Sequence, residues 1–253
     1  MTVGVELVGD IVLIPGMMCD DQLWEDMEPH LPEGARVHHA ALRGDSISAV
    51  AENILAEAPL RFTVVGLSLG GIVAMHLAVC APERIAGMVV LSSNARAPRP
   101  DQFRGWRESK MRLANGASSG AEQQRILGSL VSAKSISADP TLIDRVVGMA
   151  ERIGSASTMA QLAAQESRRD YLDDLAGITC PALIVAGGED PLCPGRVMRN
   201  IAERLPNSAF ELVVDSGHLT PMEHPRVTGE IIAEWFDSHI RTSGCIERES
   251  SRL

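Results

Sequence analysis

The chain has 253 residues, a formal net charge of −10 at pH 7, 45% hydrophobic residues and 22% charged residues. This composition is typical of a globular domain with a buried core and argues against a disordered or fibrous chain. The acidic charge argues against nucleic acids and anionic membrane surfaces as partners, because proteins that bind either one present basic surfaces.

Cysteine usage and the first residues bear on the compartment. The five cysteines are scattered and include no Cys-x-x-Cys pair, which argues against a zinc site or a disulfide framework and favours reduced thiols. The N-terminus lacks the basic and apolar regions of a signal peptide, and no apolar run approaches the roughly 20 residues that cross a bilayer. We therefore expect a cytoplasmic protein without membrane contact.

Strands and helices alternate along the first 94 residues, a rhythm that predicts a parallel sheet with right-handed crossovers. Alternating Val3, Val5 and Leu7 predict a short edge strand, and Asp20 or Asp21 is expected to cap the first helix. The other predicted elements, in chain order, are a buried strand over 10–14, a helix over 22–31, a weaker strand over 37–42, a helix over 46–58, a strand over 62–65, a helix over 72–79 and a strand over 88–91.

The motif Gly-x-Ser-x-Gly at positions 66–70 stands between the predicted strand over 62–65 and the helix that follows. On such a sharp turn the serine backbone is strained, its hydroxyl is exposed, and only small residues fit at Gly66 and Gly70. The N-terminus of the next helix also stabilises developing negative charge. These features predict that Ser68 is a nucleophile.

From about residue 95 to residue 174 the β pattern disappears, and helical runs at 102–113, 122–131, 140–153 and 157–167 predict an all-helical insertion. Its methionines, Met111, Met149 and Met159, are interpreted as core filler, with the alternative that one or two line a pliable acyl pocket.

Charged residues cluster at the end of this insertion. Glu166, Arg168 and Arg169 are interpreted as a solvated face. The alternative is that one of them contacts an anionic substrate.

The β/α rhythm resumes after the insertion, with a strand over 181–187, a helix over 196–205, a strand over 209–214 and a last helix over 225–240. A serine nucleophile needs a base, and the base needs a group that fixes its tautomer. In a parallel sheet such groups follow the carboxyl ends of strands, where this chain has Asp190 and His218. Glu189 and Asp215 compete with Asp190, but Glu189 would point elsewhere on the same turn and Asp215 lies too near His218 in sequence.

Taken together, these motifs resemble those of the α/β-hydrolase family, whose members carry Ser, Asp and His in this chain order. The chain is similar above all to small bacterial serine esterases, including carboxyl methyl-esterases. The segments that carry the resemblance are Leu13–Gly16, Arg43–Ser46, the turn at 66–70, Ala81–Ile85, Gly187–Asp190, Gly217–His218 and Glu223–Pro225.

The resemblance implies an α/β-hydrolase fold, with a mostly parallel core at 1–94 and 175–241, a helical cap at 95–174 and a polar tail at 242–253. It also implies an oxyanion hole made by the backbone N–H groups of Met17 and Leu69. The chain departs from the family where Pro15 replaces a frequent histidine before Gly16. The short segment before that strand also implies that the family's antiparallel first strands are reduced to one.

The sequence thus predicts a hydrolase of small to medium carboxylic esters that forms an acyl-enzyme on Ser68, with His218 as base and Asp190 as its orienting partner. Lactones, thioesters and carbon–carbon bonds are alternative substrates of the same triad, and a ligand-binding protein with negligible turnover is the alternative outside enzymes. No His-x-x-x-His, calcium loop or Gly-x-Gly-x-x-Gly occurs, so we expect neither metal nor cofactor. The oligomeric state stays open and includes a homodimer.

Overall fold

The computed structural model describes residues 9–241, and its six strands form one parallel sheet in the spatial order β2-β1-β3-β4-β5-β6. The strands are β1 (Gly9–Ile14), β2 (Ala35–His39), β3 (Phe62–Leu67), β4 (Ile85–Leu91), β5 (Ala182–Gly187) and β6 (Ser208–Val213). The predicted α/β class, a mostly parallel sheet flanked by helices, is confirmed.

Helices connect successive strands in the described part of the chain. They are α1 (Ile47–Glu57), α2 (Leu69–Cys80), α3 (Pro100–Ala114), α4 (Ser119–Leu130), α5 (Ala133–Ala138), α6 (Thr141–Ser167), α7 (Gly195–Ala202), α8 (Thr220–Glu223) and α9 (Pro225–Phe236). Among the described residues, no helix is long and apolar enough to cross a membrane.

The sheet is buried on both faces, which explains the continuous apolar runs of its central strands. Successive side chains of β1 point to opposite faces, so Val12 and Ile14 pack on one side with α1, α2 and α7. Ile11 and Leu13 pack on the other side with the segment around Trp24 and with α9. The core therefore holds β1 and β3 rigidly, and the loops that follow these strands start from fixed points.

The predicted helix over 22–31 is wrong. Asp20 does cap this segment, because its Oδ1 accepts a hydrogen bond from the Gln22 backbone at 3.1 Å, but two 3₁₀-helices follow, Asp21–Leu23 and Glu28–His30. A continuous α-helix would need a backbone N–H at Pro29, which proline lacks, and its ring would clash with the preceding turn.

The segment between β4 and β5 contains α3 to α6 and, within the described residues, no strand. The two helices expected at 140–153 and 157–167 are continuous in α6 except at Gly154, whose φ of 75° and ψ of 161° interrupt the helical backbone. Glycine tolerates this positive φ without a Cβ clash. Helix α5 was not predicted, and the division of the chain into core and cap stays a prediction.

Two predictions concern the ends of the chain. The edge strand with Val3, Val5 and Leu7 and the polar tail at 242–253 lie outside the described residues. The last helix ends earlier than expected, since α9 stops at Phe236 and a π-helical turn, Asp237–Arg241, follows it.

Candidate active site

Ser68 lies between β3 and α2. Its φ of 54° and ψ of −111° are a backbone conformation that residues other than glycine rarely adopt. Neighbouring backbone leaves no room for side chains on either side of it. A Cβ on Gly66 would lie 2.3 Å from the Gly70 carbonyl oxygen, and one on Gly70 would lie 2.1 Å from the Ile14 carbonyl oxygen. The structure thus gives the two glycines the steric role that the sequence predicted for them.

Two hydrogen bonds hold the Ser68 backbone in place. Its N–H donates to the Leu91 carbonyl at 2.9 Å, and the Ser93 hydroxyl donates to the Ser68 carbonyl at 2.7 Å. Both partners belong to β4 or to the residues just after it, so the neighbouring strand stabilises the strained turn.

Asp190 and His218 form a buried pair at the ends of β5 and β6. The distance between His218 Nδ1 and Asp190 Oδ2 is 2.8 Å, and the two side chains are 3% and 0% exposed. The other carboxylate oxygen of Asp190 accepts hydrogen bonds from the backbone N–H groups of Leu192 at 2.8 Å and Cys193 at 3.0 Å. This pairing leaves the second ring nitrogen of His218, Nε2, for another group.

The electrostatics of the pair favour a charged Asp190. Burial alone would raise the pKa of this carboxyl, but the hydrogen bond and charge of His218 and the two backbone N–H donors outweigh burial and hold the pKa below its usual value. Asp190 is therefore ionised at neutral pH, where it can fix the His218 tautomer and stabilise a positive ring.

Ser68 and His218 border one cavity of about 480 Å³, which also contacts Met17. The cavity lies between the ends of the strands and helices α3, α4 and α6, whose residues Trp106, Ile126 and Leu162 contribute to its wall. A volume of this size suits a small organic ligand. The structure thus places the three predicted triad residues at one site, with Asp190 behind His218.

The candidate oxyanion donors flank Ser68. Met17 follows β1, and Leu69 is the first residue of α2. No hydrogen bond within the described residues engages the backbone N–H of either residue, whereas the N–H of Met18 donates to Gln161 Oε1 at 2.8 Å. Both N–H groups are thus free to donate a hydrogen bond to an oxygen, which is what an oxyanion hole requires.

Sequence reasoning missed the role of Glu223, which organises the loop that carries His218. Its carboxylate accepts hydrogen bonds from the backbone N–H groups of Gly217 at 2.9 Å, Ser132 at 2.9 Å and Leu219 at 3.2 Å. The sequence signal for it was the segment Glu223–Pro225, six residues after Gly217, whose resemblance to the family did not indicate what this carboxylate binds. This carboxylate ties the His218 loop to the start of α5 and fixes the ring's position.

The charged cluster at the end of α6 is not a uniformly solvated face, and this interpretation is corrected. Glu166 pairs with Lys110 at 2.8 Å, and Arg169 pairs with Asp174 at the surface. Arg168 is only 6% exposed and borders the cavity. Local sequence could not show which of three neighbouring charged side chains points inward.

The three methionines of the insertion differ in environment. Met149 is fully buried, as expected of core filler, whereas Met111 is 59% exposed and therefore contradicts that interpretation. Within the described residues, none of the three borders the cavity, and Met17 and Met18 border it instead. The alternative of an acyl pocket lined by insertion methionines is therefore not supported.

One set of potential metal ligands coincides with this site. Among the described residues, Asp190, Cys193 and His218 offer ligand atoms within 4.8 Å of one another. The Asp190 and His218 atoms already hydrogen-bond each other, and burial raises the pKa of the Cys193 thiol, so this sulfur stays protonated. The donor set fits a triad better than a metal centre.

Three other histidines lie near separate side-chain partners away from this site. His38 Nε2 lies 2.7 Å from Asp10 Oδ1, and His39 Nε2 lies 3.0 Å from Glu28 Oε1. His76 Nδ1 lies 3.0 Å from the Tyr171 hydroxyl. Their distribution over separate partners agrees with structural roles.

The chain is similar to proteins of known activity over most of its length. It is 27% identical over 248 residues to the pimeloyl-[acyl-carrier protein] methyl ester esterase of Aromatoleum aromaticum, covering 89% of this chain and 97% of that protein. It is 28% identical over 254 residues to the protein of the same name from Aeromonas hydrophila, covering 92% and 98%.

Solved structures show the same fold. A thermophilic esterase from Thermogutta terrifontis, described with malate bound, superposes with a TM-score of 0.82 at 24% identity and 90% and 89% coverage of the two chains. The enol-lactonase from Burkholderia xenovorans superposes with a TM-score of 0.80 at 18% identity and 90% and 91% coverage.

A family profile settles the classification. The profile described as "Alpha/beta hydrolase family" matches residues 11–230, which include all of the sheet except the first two residues of β1, and all three predicted triad residues. The expectation of an esterase-like hydrolase is confirmed at the level of the family. On this match, the parallel sheet and the order of its motifs, the chain belongs to the alpha/beta hydrolase family.

Proposed function

We propose that the protein hydrolyses small to medium carboxylic esters through an acyl-enzyme on Ser68. The observation that carries the proposal is the buried His218–Asp190 pair, 2.8 Å apart, behind a strained serine that borders the same cavity as His218. A serine hydroxyl is a weak nucleophile at neutral pH, and this arrangement supplies the base and the orienting group that it needs.

In this mechanism His218 Nε2 takes the Ser68 proton as Oγ attacks the ester carbonyl. The negative oxygen of the tetrahedral intermediate accepts hydrogen bonds from the Met17 and Leu69 backbone N–H groups. His218 then gives its proton to the leaving alcohol, and a water molecule, activated by His218, hydrolyses the acyl-enzyme. Asp190 holds Nδ1 protonated and balances the charge of the ring throughout.

The comparisons support ester hydrolysis as the reaction. The relatives from Aromatoleum aromaticum and Aeromonas hydrophila are named for hydrolysis of an acyl methyl ester, and most of each protein aligns with this chain. The cavity of about 480 Å³ has room for an acyl chain of modest length. Lactones and thioesters undergo the same attack at a carbonyl carbon. Comparing rates on esters, lactones and thioesters identifies the preferred leaving group.

The test is hydrolysis of p-nitrophenyl esters, from acetyl to dodecanoyl, by the wild type and by Ser68→Ala. We expect turnover with an optimum in chain length, and its loss in a Ser68→Ala protein that unfolds at the same denaturant concentration as the wild type. Full turnover by folded Ser68→Ala would refute the proposal. Absence of both turnover and fluorophosphonate labelling in the wild type would instead favour a ligand-binding protein.

A further inference from the structure

One wall of the cavity contains a buried cation without a counter-ion. Arg168, at the end of α6, is 6% exposed, and no carboxylate of the described residues lies within ion-pair distance of its guanidinium group. Its Nη1 donates to Gln165 Oε1 and its Nη2 to Gln102 Oε1, each at 2.8 Å. Its Nε is buried without any hydrogen-bond partner in the described part of the protein.

The groups around Arg168 hold its position but do not neutralise its charge. The ring of Trp106 lies 5.3 Å from the guanidinium carbon and contributes a cation–π contact. The glutamine oxygens and the end of α6 offer only partial negative charges. Burial lowers the pKa of Arg168 to about 10, so the group remains charged at neutral pH. A buried charge without an ionic partner is costly, and a bound anion would compensate it.

The other charged groups at the cavity are already paired or exposed. Arg99 pairs with Asp101 at 3.1 Å, and Arg112 pairs with Glu122 at 2.7 Å. Arg125 lies 3.5 Å from the same Glu122 carboxylate, and Glu108 is exposed at the cavity rim. Arg168 is therefore the buried group, among the described residues of this cavity, that lacks an opposite charge.

We propose that the natural substrate carries a free carboxylate in addition to its ester, and that Arg168 binds this carboxylate inside the cavity. Arg168 and Ser68 border the same space, so one molecule can contact both. One uncompensated positive charge matches one negative charge, which favours a carboxylate over a doubly charged phosphate. A guanidinium group forms charge-assisted, often paired, hydrogen bonds with carboxylates, so a carboxylate is the class of anion that fits Arg168.

This inference rests on the proposed ester hydrolysis, and it is tested with esters that differ only in charge. The rates of hydrolysis of monomethyl succinate, adipate and suberate are compared with those of methyl butyrate, hexanoate and octanoate. Each rate is measured as the base needed to neutralise the released acid at constant pH. We expect the wild type to prefer the anionic ester at one chain length. In Arg168→Gln the ratio of kcat/KM for the anionic to the neutral ester should fall by about tenfold or more, the effect of losing a hydrogen bond to a charged group.

Matched variants separate this role from a structural one. Arg169→Gln removes the neighbouring, surface-paired guanidinium and should leave the ratio within about twofold. Arg168→Lys keeps the charge without the planar fork and should retain part of the preference. If the ratio of kcat/KM for the anionic to the neutral ester were equal in the wild type, Arg168→Gln and Arg169→Gln, and the neutral esters were still hydrolysed, the proposal of a carboxylate site would be overturned. The proposed function would stand.

Binding of adipate gives a readout that does not depend on turnover. In calorimetric titrations, Ser68→Ala should bind adipate saturably, and Ser68→Ala/Arg168→Gln should not. If no ester were hydrolysed but adipate binding depended on Arg168, the carboxylate site would stand and the esterase proposal would fail. If both variants bound adipate alike, or neither bound it, Arg168 would be a structural cation only and the inference would be wrong.

Discussion

At the scale of single residues, the site depends on one residue with an unusual backbone conformation and one with an unusual buried charge. Ser68 has a positive φ of 54°, and Asp190 keeps its charge although its side chain is 0% exposed. Each state is stabilised by backbone groups, the Leu91 carbonyl for Ser68 and the Leu192 and Cys193 N–H groups for Asp190. The protein thus maintains the geometry of the proposed triad before a substrate arrives.

Replacing Asp190 tests which carboxylate orients His218. Asp190→Asn should lower kcat by about 10⁴-fold with a small change in KM, because an amide no longer fixes the protonated Nδ1 or balances the ring's charge. Glu189→Gln is the matched control, since Glu189 is the exposed neighbour on the same turn. Steady-state kinetics on one p-nitrophenyl ester would measure both. A large loss in Glu189→Gln with an active Asp190→Asn would reverse the assignment.

The sequence was sufficient to predict that these residues lie at one site, because each stands where a parallel sheet places functional groups. A Gly-x-Ser-x-Gly turn and two strand ends bring Ser68, Asp190 and His218 together without knowledge of side-chain contacts. Arg168 shows the limit of this reasoning. Its inward position follows from the way α6 packs against the rest of the fold, and neighbouring charges in a sequence do not report the direction of each side chain.

At the scale of secondary-structure elements, the helices over the cavity are joined by charged contacts as well as apolar ones. Glu122 of α4 accepts hydrogen bonds from Arg112 Nε at 2.7 Å, from Arg112 Nη2 at 2.8 Å and from Ser109 at 2.7 Å, both residues of α3. The hydrogen bond from Arg112 outweighs burial and lowers the pKa of Glu122. These contacts fix α3 and α4 as neighbours above Ser68.

Glu122→Gln should therefore destabilise the protein in a pH-dependent way. We expect a loss of about 1 to 2 kcal/mol in the free energy of unfolding near neutral pH, a modest value because Arg112 is 36% exposed. Because the folded pKa is lowered, the stabilisation by Glu122 is present above the usual glutamate pKa of about 4.3 and is lost as the pH falls through the folded pKa.

Urea unfolding at a series of pH values measures this difference, with Glu203→Gln as the control, an exposed glutamate at the end of α7. The curves of the wild type and Glu122→Gln should converge at low pH, and Glu203→Gln should follow the wild type throughout. A difference between the wild type and Glu122→Gln that stayed constant as the pH fell would contradict the ion-pair explanation.

Elements were predicted best where one physical signal dominated. Buried strands such as β3 and β5 are continuous apolar runs, whereas the segment after Asp20 combines a good helix cap with Pro29 and forms short 3₁₀-helices. Helix α5 has six residues, too few for its amphipathic period to be visible. The misses therefore concern short helices, in which local sequence carries little periodic information.

At the scale of the whole molecule, the six-stranded sheet is a rigid base, and helices α3, α4 and α6 form one side of the cavity above it. The sheet supplies the proposed nucleophile, base and orienting carboxylate from loops after β3, β5 and β6. The helices supply most of the polar groups that a substrate would meet, including Arg168. Chemistry and substrate selection are therefore carried by different parts of the chain, and each can be altered by mutation without the other.

The central claim is that Ser68 becomes acylated during turnover. The most direct measurement is mass spectrometry of the wild type, quenched in acid within milliseconds to seconds of mixing with a p-nitrophenyl ester, followed by mapping of the modified peptide. We expect one acyl group on Ser68 that appears with p-nitrophenol release and then decays, and no such adduct in Ser68→Ala. Turnover with the acyl group on another residue, for example Cys19 at the same cavity, would contradict the account.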